Sequence, residues 1–90
     1  MFERRVTVAS KVGLHARPAA LVAKAAAAQP VKITIRKDDT KPVEAGSILG
    51  LMTLGAAFGD EVVLEAAGEG AEAALDHIAQ LVATDLDNAN

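Results

Sequence analysis

The sequence contains no cysteine, tryptophan or tyrosine, and Phe2 and Phe58 are its only aromatic residues. Without cysteine the protein has no disulfide, no thiolate metal site and no thiol nucleophile. Basic residues are also scarce, with 9 Lys and Arg against 12 Asp and Glu, and the net charge is -3. This balance, together with the shortage of stacking side chains, argues against a nucleic-acid partner. Hydrophobic residues make up 51% of the chain, but 20 residues are alanine, so we expect a thin aliphatic core.

Long hydrophobic runs are lacking as well. Glu3, Arg4 and Arg5 follow the first two residues, so the N-terminus does not resemble the apolar region of a signal peptide. The uncharged segment over residues 47–59 is shorter than the roughly 20 residues that span a bilayer. No linker or internal repeat interrupts the sequence. We therefore expect a cytoplasmic protein without membrane insertion, folded as a single domain over residues 1–88.

Hydrophobic periodicity predicts the fold class. Apolar and polar residues alternate over residues 2–9 and 31–36, which is the period of half-buried strands. Residues 61–67 contain the β-branched pair Val62 and Val63, followed by Leu64, and predict a further strand. A short strand over residues 42–44 is predicted at a sheet edge, because Pro42 cannot donate a ladder hydrogen bond. Helices are predicted over residues 16–28, over residues 48 to about 54, and from residue 71 onward. The order βαββαβα favours an α/β (α+β) fold, a two-layer open-faced sandwich in which a mostly antiparallel four-stranded sheet carries all three helices on one face.

The first predicted helix begins with a chemically distinctive segment, G-L-H-A-R-P over residues 13–18. It places His15 and Arg17 where the first backbone N–H groups of a helix lack partners and favour an anion. The Arg17 guanidinium can neutralise phosphate oxygens, and Pro18 is tolerated in the first turn. These residues indicate a phosphorylatable histidine. The alternative is that His15 only caps the helix and that Arg17 is a solvated charge.

The G-L-H-A-R-P segment resembles the active-site signature of the HPr family, the histidine-containing phosphocarriers of the bacterial phosphoenolpyruvate:sugar phosphotransferase system. Residues 47–52, S-I-L-G-L-M, resemble a second signature of that family, and the resemblance extends over essentially the whole chain. It implies a carrier without turnover of its own and without a cofactor. His15 would accept a phosphoryl group on Nδ1 from phosphorylated Enzyme I and pass it to a IIA domain for sugar uptake. Arg17 would pair with the phosphate, and the backbone amides of Ala16 and Arg17 would hold its oxygens.

A carrier that binds two partners briefly needs a flat apolar surface around its histidine. The resemblance implies that this surface consists of Ala20, Ile48, Leu49 and Met52, with Lys24 at a basic rim. The alternative is that the apolar residues of the short helix simply belong to the core. We expect Leu51 in the core and partial exposure of Leu49 and Met52, because so small a core cannot take every face of that helix.

Ser47 is a good N-cap candidate for the short helix. It also matches the family's regulatory serine, which an ATP-dependent kinase phosphorylates in some bacteria. Gly46 and Glu44 depart from the usual pattern, in which many members carry lysine before the serine and a neutral residue at the position of Glu44. The resemblance therefore implies regulation at Ser47 by a serine kinase, while the neighbouring residues do not favour kinase recognition.

The remaining histidine, His77, is expected on the solvated face of the last helix, and two separate histidines without cysteine form no recognisable metal site. A second function stays open, a regulatory adaptor that acts through protein contacts and Ser47 without an obligatory phosphate relay. A small-ligand-binding regulatory domain is a third. A monomer suits a shuttle, and the sequence leaves open which IIA domain accepts the phosphate and whether the relay serves sugar uptake or a nitrogen-type regulatory branch.

Overall fold

Seven elements make up the computed structural model, which describes residues 1–86; the predicted domain end at residue 88 lies outside these residues. In chain order the elements are β1 (Phe2–Thr7), α1 (Ala16–Ala27), β2 (Thr34–Arg36), β3 (Val43–Glu44), α2 (Ile48–Leu54), β4 (Glu61–Ala66) and α3 (Ala71–Val82). This is the predicted βαββαβα order. Gly55, in the left-handed conformation with φ 68°, ends α2.

The sheet has the strand order β1-β4-β2-β3, and all its pairings are antiparallel. The longest ladder joins β1 to β4, from Phe2 opposite Ala66 to Thr7 opposite Glu61. The short strand β3 lies at an edge, as predicted from the proline that precedes it. A four-stranded antiparallel open sheet with three helices confirms the predicted fold class.

The core lies between the sheet and the helices. Val62, Leu64 and Ala66 alternate along β4 and point into it, and Leu75 and Ile78 on α3 are completely buried against them. A fully buried aliphatic side chain of this size stabilises the fold by about 1.5–3 kcal/mol. On α1 the buried residues are mostly alanines, so the core is thin and aliphatic as expected.

The ends of several elements differ from the prediction, most of all the start of β2. The second strand was expected over residues 31–36, but its ladder with β4 begins only at Thr34. Ile33 is buried as the alternation requires, yet its carbonyl accepts a hydrogen bond from the Ala45 N–H at 2.9 Å outside the assigned strands. Phe2 was expected to face the core and is exposed, because it belongs to the last residue pair of the β1–β4 ladder. Periodicity detects which face is buried but does not show where a ladder ends.

The open face of the sheet carries paired charges. Val63 points away from the helices and is nevertheless completely buried, with Arg5 of β1 and Arg36 of β2 opposite it on either side. The Arg5 Nη1 lies 2.9 Å from Glu61 Oε1 and 3.0 Å from Asp38 Oδ1. Hydrogen bonds to Glu61 and then to Asp38 raise the pKa of Arg5 above its usual value. We call Arg5, Arg36, Asp38, Glu61 and Glu65, which ion pairs connect around Val63, the charged sheet face.

Candidate functional site

The loop that leads into α1 is held at both ends. The Gly13 N–H donates to the Ser10 carbonyl at 2.8 Å and closes a tight turn. Ser10 is buried, accepts a hydrogen bond from the Leu86 N–H at 3.1 Å and donates to the Thr84 carbonyl at 3.4 Å. At the other end of the loop, the Leu14 N–H donates to the Ala56 carbonyl at 2.9 Å.

Gly13 has a conformational and a steric reason to be glycine. Its φ is +76°, in the left-handed region that other residues rarely adopt. A Cβ at this position would lie 2.5 Å from the Ala56 oxygen and 3.0 Å from the Ala57 Cα. The loop can therefore lie directly against the segment after α2 only because this residue has no side chain.

His15 occupies the N-cap position of α1 with extended backbone, φ -83° and ψ -178°. Its carbonyl accepts the Ala19 N–H at 2.8 Å, whereas its side chain makes no capping hydrogen bond and is exposed. The imidazole is therefore not used to cap the helix, which speaks against the purely structural alternative. An exposed ring at this position is accessible to another protein.

The structure brings His15, Ala16 and Arg17 together in a shallow depression of about 250 Å³, lined also by Val12 and Pro18. The first turn of α1 contains no acidic residue. The depression thus combines an accessible imidazole, an exposed guanidinium and the positive end of a helix, a combination that favours a phosphoryl group bound at the histidine.

The short helix α2 presents the second predicted group of residues. Ser47 caps it, because its Oγ accepts the Gly50 N–H at 3.0 Å. Leu51 is completely buried and Leu49 is 73% exposed, and Ile48 and Met52 are exposed as well. These exposures confirm the expectation that only part of this helix belongs to the core.

Ala20 and Lys24 lie on α1, which packs against α2. Ala20 is half-buried and Lys24 is exposed. The predicted partner residues therefore lie on two neighbouring helices. We call Ala20, Lys24, Ile48, Leu49 and Met52 the helical patch.

Two exposed apolar residues near His15 were not singled out from the sequence. Val12 is 61% exposed and Phe58 is 59% exposed. Both occur in segments read only as loops, each directly before a glycine with positive φ, Gly13 and Gly59. A large apolar residue beside a turn glycine is the signal that could have found them.

Elsewhere the structure shows few further candidate groups. His77 is exposed on α3, as expected. Within residues 1–86 no three His, Asp or Glu side chains are grouped so that they could hold a metal ion. Over the same residues, no helix has both the length and the apolar character needed to cross a membrane.

Comparisons with known proteins agree with this geometry. Residues 2–84 match the family model described as the PTS HPr component phosphorylation site. The phosphocarrier protein HPr of Streptomyces coelicolor is 52% identical over 87 residues, 97% of this chain and 94% of that protein. The crystal structure of HPr-C-His from Thermoanaerobacter tengcongensis matches with a TM-score of 0.88 and 38% identity over 98% of both chains. Crh from Bacillus subtilis, whose crystal structure is a domain-swapped dimer, matches with a TM-score of 0.72 and 43% identity over 91% of this chain and 93% of that chain.

The matching family model and structure show that this open-faced sandwich belongs to the class of phosphocarrier proteins, which are transfer components and not enzymes. Within that class, this chain is a member of the HPr family of the phosphotransferase system.

Proposed function

We propose that this protein carries a phosphoryl group on His15 from phosphorylated Enzyme I to a IIA domain during sugar uptake, in the cytoplasm and as a monomer. The observation that carries the proposal is the exposed His15 side chain, which stands at the start of α1 without a capping hydrogen bond. Membership of the HPr family supports the identity of the donor and the acceptor.

In the proposed transfer, the His15 ring attacks the phosphorus of the donor's phosphohistidine through Nδ1. A new N–P bond forms, the donor's N–P bond breaks, and its electron pair returns to the donor's imidazole. Because one N–P bond replaces another, the step is readily reversible and the acceptor can take the group by the same route. Arg17 and the first-turn amides of Ala16 and Arg17 stabilise the phosphate charge at the helix start.

The helical patch is the proposed contact surface for both partners. Its exposed apolar side chains lie on α2, and Lys24 adds a positive charge on the adjacent α1. A small apolar surface with a charged rim suits brief association, since it buries enough area for specificity without forming a permanent complex.

The test is the intact mass of the protein after incubation with Enzyme I, magnesium and phosphoenolpyruvate, using an Enzyme I that is active on its own HPr. We expect the gain of one acid-labile phosphoryl group, its loss in His15→Ala, and its retention in His77→Ala. His77 is a matched control, because it is the only other histidine and is also exposed. An equal gain in His15→Ala would contradict the proposal, and no gain in the wild type would favour the regulatory adaptor.

Regulation by a kinase at Ser47 is part of the proposal. Ser47 lies at the start of α2, directly before Ile48 and Leu49 of the helical patch. A phosphate there adds about two negative charges next to an apolar contact surface and would repel an acidic partner without removing a helix cap.

Ser47→Asp and Ser47→Asn separate these effects, because both residues are good N-caps and only aspartate is charged. We expect Ser47→Asp to slow the phosphorylation of His15 while Ser47→Asn retains the wild-type rate and both fold normally. Equal rates in the two variants would argue against charge-based regulation at this position.

A further inference from the structure

The strand β1 lies at one edge of the sheet, so half of its backbone hydrogen-bonding groups have no neighbouring strand to bond with. The N–H and the carbonyl of Val8, just after the strand, bond at 2.9 Å to the segment that leads into β4. Because such groups alternate along a strand in an antiparallel ladder, the backbone groups of Glu3, Arg5 and Thr7 face away from β4. We call these three residues the outer edge of β1. An edge of this kind can pair with a strand of another chain.

The structure closes both ends of this outer edge through α3. At one end, the Arg4 Nε lies 2.8 Å from the Asp76 Oδ1 on α3, and the Arg4 Nη1 donates to the Glu3 carbonyl at 2.9 Å. At the other end, the Ala9 N–H donates to the Val82 carbonyl of α3 at 3.1 Å. A second strand that pairs with this edge must therefore displace the guanidinium from the Glu3 carbonyl.

The sequence of β1 is complementary to itself in one antiparallel register. When Glu3 lies opposite Arg5 of a second copy, the outward backbone groups face each other as a ladder requires. Two pairs of opposite charge then form on the open face of the sheet, one on each side of the two-fold axis. The same register places the exposed Phe2 opposite Val6 of the second copy. The partner that suits this edge is therefore a second copy of this chain.

Arg4 lies on the two-fold axis of that register and opposes the pairing in two ways. It would stand directly opposite Arg4 of the second copy, and like charges in opposite positions destabilise a sheet. Its guanidinium also occupies the Glu3 carbonyl that the second strand needs. The Asp76 carboxylate holds this guanidinium in place from α3. Charged side chains are a common protection of sheet edges against pairing.

We propose that Arg4, positioned by Asp76, blocks the pairing of β1 with the same strand of a second copy and so keeps the protein monomeric. This inference rests on the monomeric state proposed above and is independent of the phosphoryl transfer at His15. It assigns a role to a residue that belongs neither to the phosphoryl-transfer site nor to the helical patch.

The experiment measures self-association by sedimentation equilibrium for the wild type, Arg4→Gln and Arg5→Gln. We expect Arg4→Gln to dimerise at about one tenth, or less, of the concentration that the wild type requires, because two carbonyls are freed and one repulsion is removed. Arg5→Gln is the matched control, since it makes the same change of charge at the next residue but removes the attractive pair with Glu3. It should stay as monomeric as the wild type. The Tm of Arg4→Gln should fall only slightly, because an exposed ion pair contributes little.

A further variant locates the contact. Glu3 makes no ion pair within residues 1–86, so Glu3→Lys disturbs none. Added to Arg4→Gln, it places like charges at both cross-strand pairs and should restore the monomer. Hydrogen exchange at the Arg5 N–H should also slow when Arg4→Gln dimerises.

Equal association of Arg4→Gln and the wild type would overturn this inference alone, while the monomer and the carrier function would stand. A dimer of Arg4→Gln that Glu3→Lys leaves intact would overturn the assignment to the outer edge of β1. A wild type that already dimerises as readily as Arg4→Gln would overturn both the proposed monomer and the blocking role of Arg4. The phosphorylation assay with Enzyme I tests the carrier function separately.

Discussion

The charged sheet face and the His15 end of the molecule differ in whether their apolar side chains are covered. On the sheet, Val63 lies on the solvent side, but Arg5 and Arg36 lie opposite it and pair with carboxylates, so it is completely buried. At the His15 end, five large apolar side chains remain exposed, namely Val12, Ile48, Leu49, Met52 and Phe58. Phe2 is exposed too, at the opposite end of β1, but most of the exposed large apolar groups lie at the His15 end, as expected of a surface that other proteins cover.

The largest expected effect on stability distinguishes Leu51 from Leu49, which lie two residues apart on α2. Leu51→Ala should lower the free energy of unfolding by about 2–5 kcal/mol, because it leaves a cavity at a fully buried site. Leu49→Ala should stay within about 0.5 kcal/mol of the wild type, because that side chain is exposed, and should instead weaken partner binding. Urea unfolding of the two variants measures the change in the free energy of unfolding. Similar losses of unfolding free energy in the two variants would contradict the distinction between core and contact residues on this helix.

The second largest effect is expected at Gly13, where the His15 loop lies against the segment after α2. Gly13→Ala should destabilise the protein by about 1–2 kcal/mol through its positive φ and by about 1–3 kcal/mol more through overlap with Ala56. Gly55→Ala is the matched control, since Gly55 also has positive φ but nothing lies within 4 Å of its added Cβ. We expect only Gly13→Ala to slow the phosphorylation of His15 markedly. Equal losses of stability would show that the close approach of the two turns is unimportant.

A smaller effect is expected beneath the charged sheet face. Val63→Ala removes two buried carbon atoms and should cost about 1.5 kcal/mol in the free energy of unfolding. The rate of phosphorylation should not change, because Val63 lies on the face opposite the helices. Thermal unfolding and the phosphorylation assay together check this. A stability like that of the wild type would mean that the arginines do not keep Val63 from water.

The smallest effect concerns the ion pairs themselves. Arg5→Gln removes the contacts with Asp38 and Glu61, and we expect a slight fall in Tm at low salt that shrinks in 1 M NaCl, since exposed pairs are weak and screened. Lys24→Gln is the contrasting variant, because it should leave Tm unchanged and slow the donor reaction. A salt-independent fall in Arg5→Gln would point to lost packing over Val63 and not to lost charge.

Local patterns were sufficient for much of the fold and for the proposed site. The alternation in the strands, the capping serine Ser47 and the helical spacing predicted the element order and the partial exposure of α2. The segment around His15 predicted an imidazole at a helix start, which the structure confirms. Each of these features depends on residues close together in the sequence.

Features that depend on distant residues were not predictable in the same way. The burial of Val63 requires arginines from β1 and β2 on either side of it, and alternation alone places it in solvent. The extent of β2 depends on where β4 meets it. The position of the turn that carries Phe58, against the His15 loop, was not predictable either, because nothing in its local sequence connects the two segments.

The hydroxyl of Ser10 connects the histidine loop to the end of the described chain, through Leu86 and Thr84. The residues that it joins are 76 positions apart. During synthesis, therefore, a ribosome must make nearly the whole described sequence before this loop has its last anchor. The loop geometry around His15 therefore depends on residues at the other end of the described chain, and we expect a protein that ends before Thr84 to hold this loop less firmly.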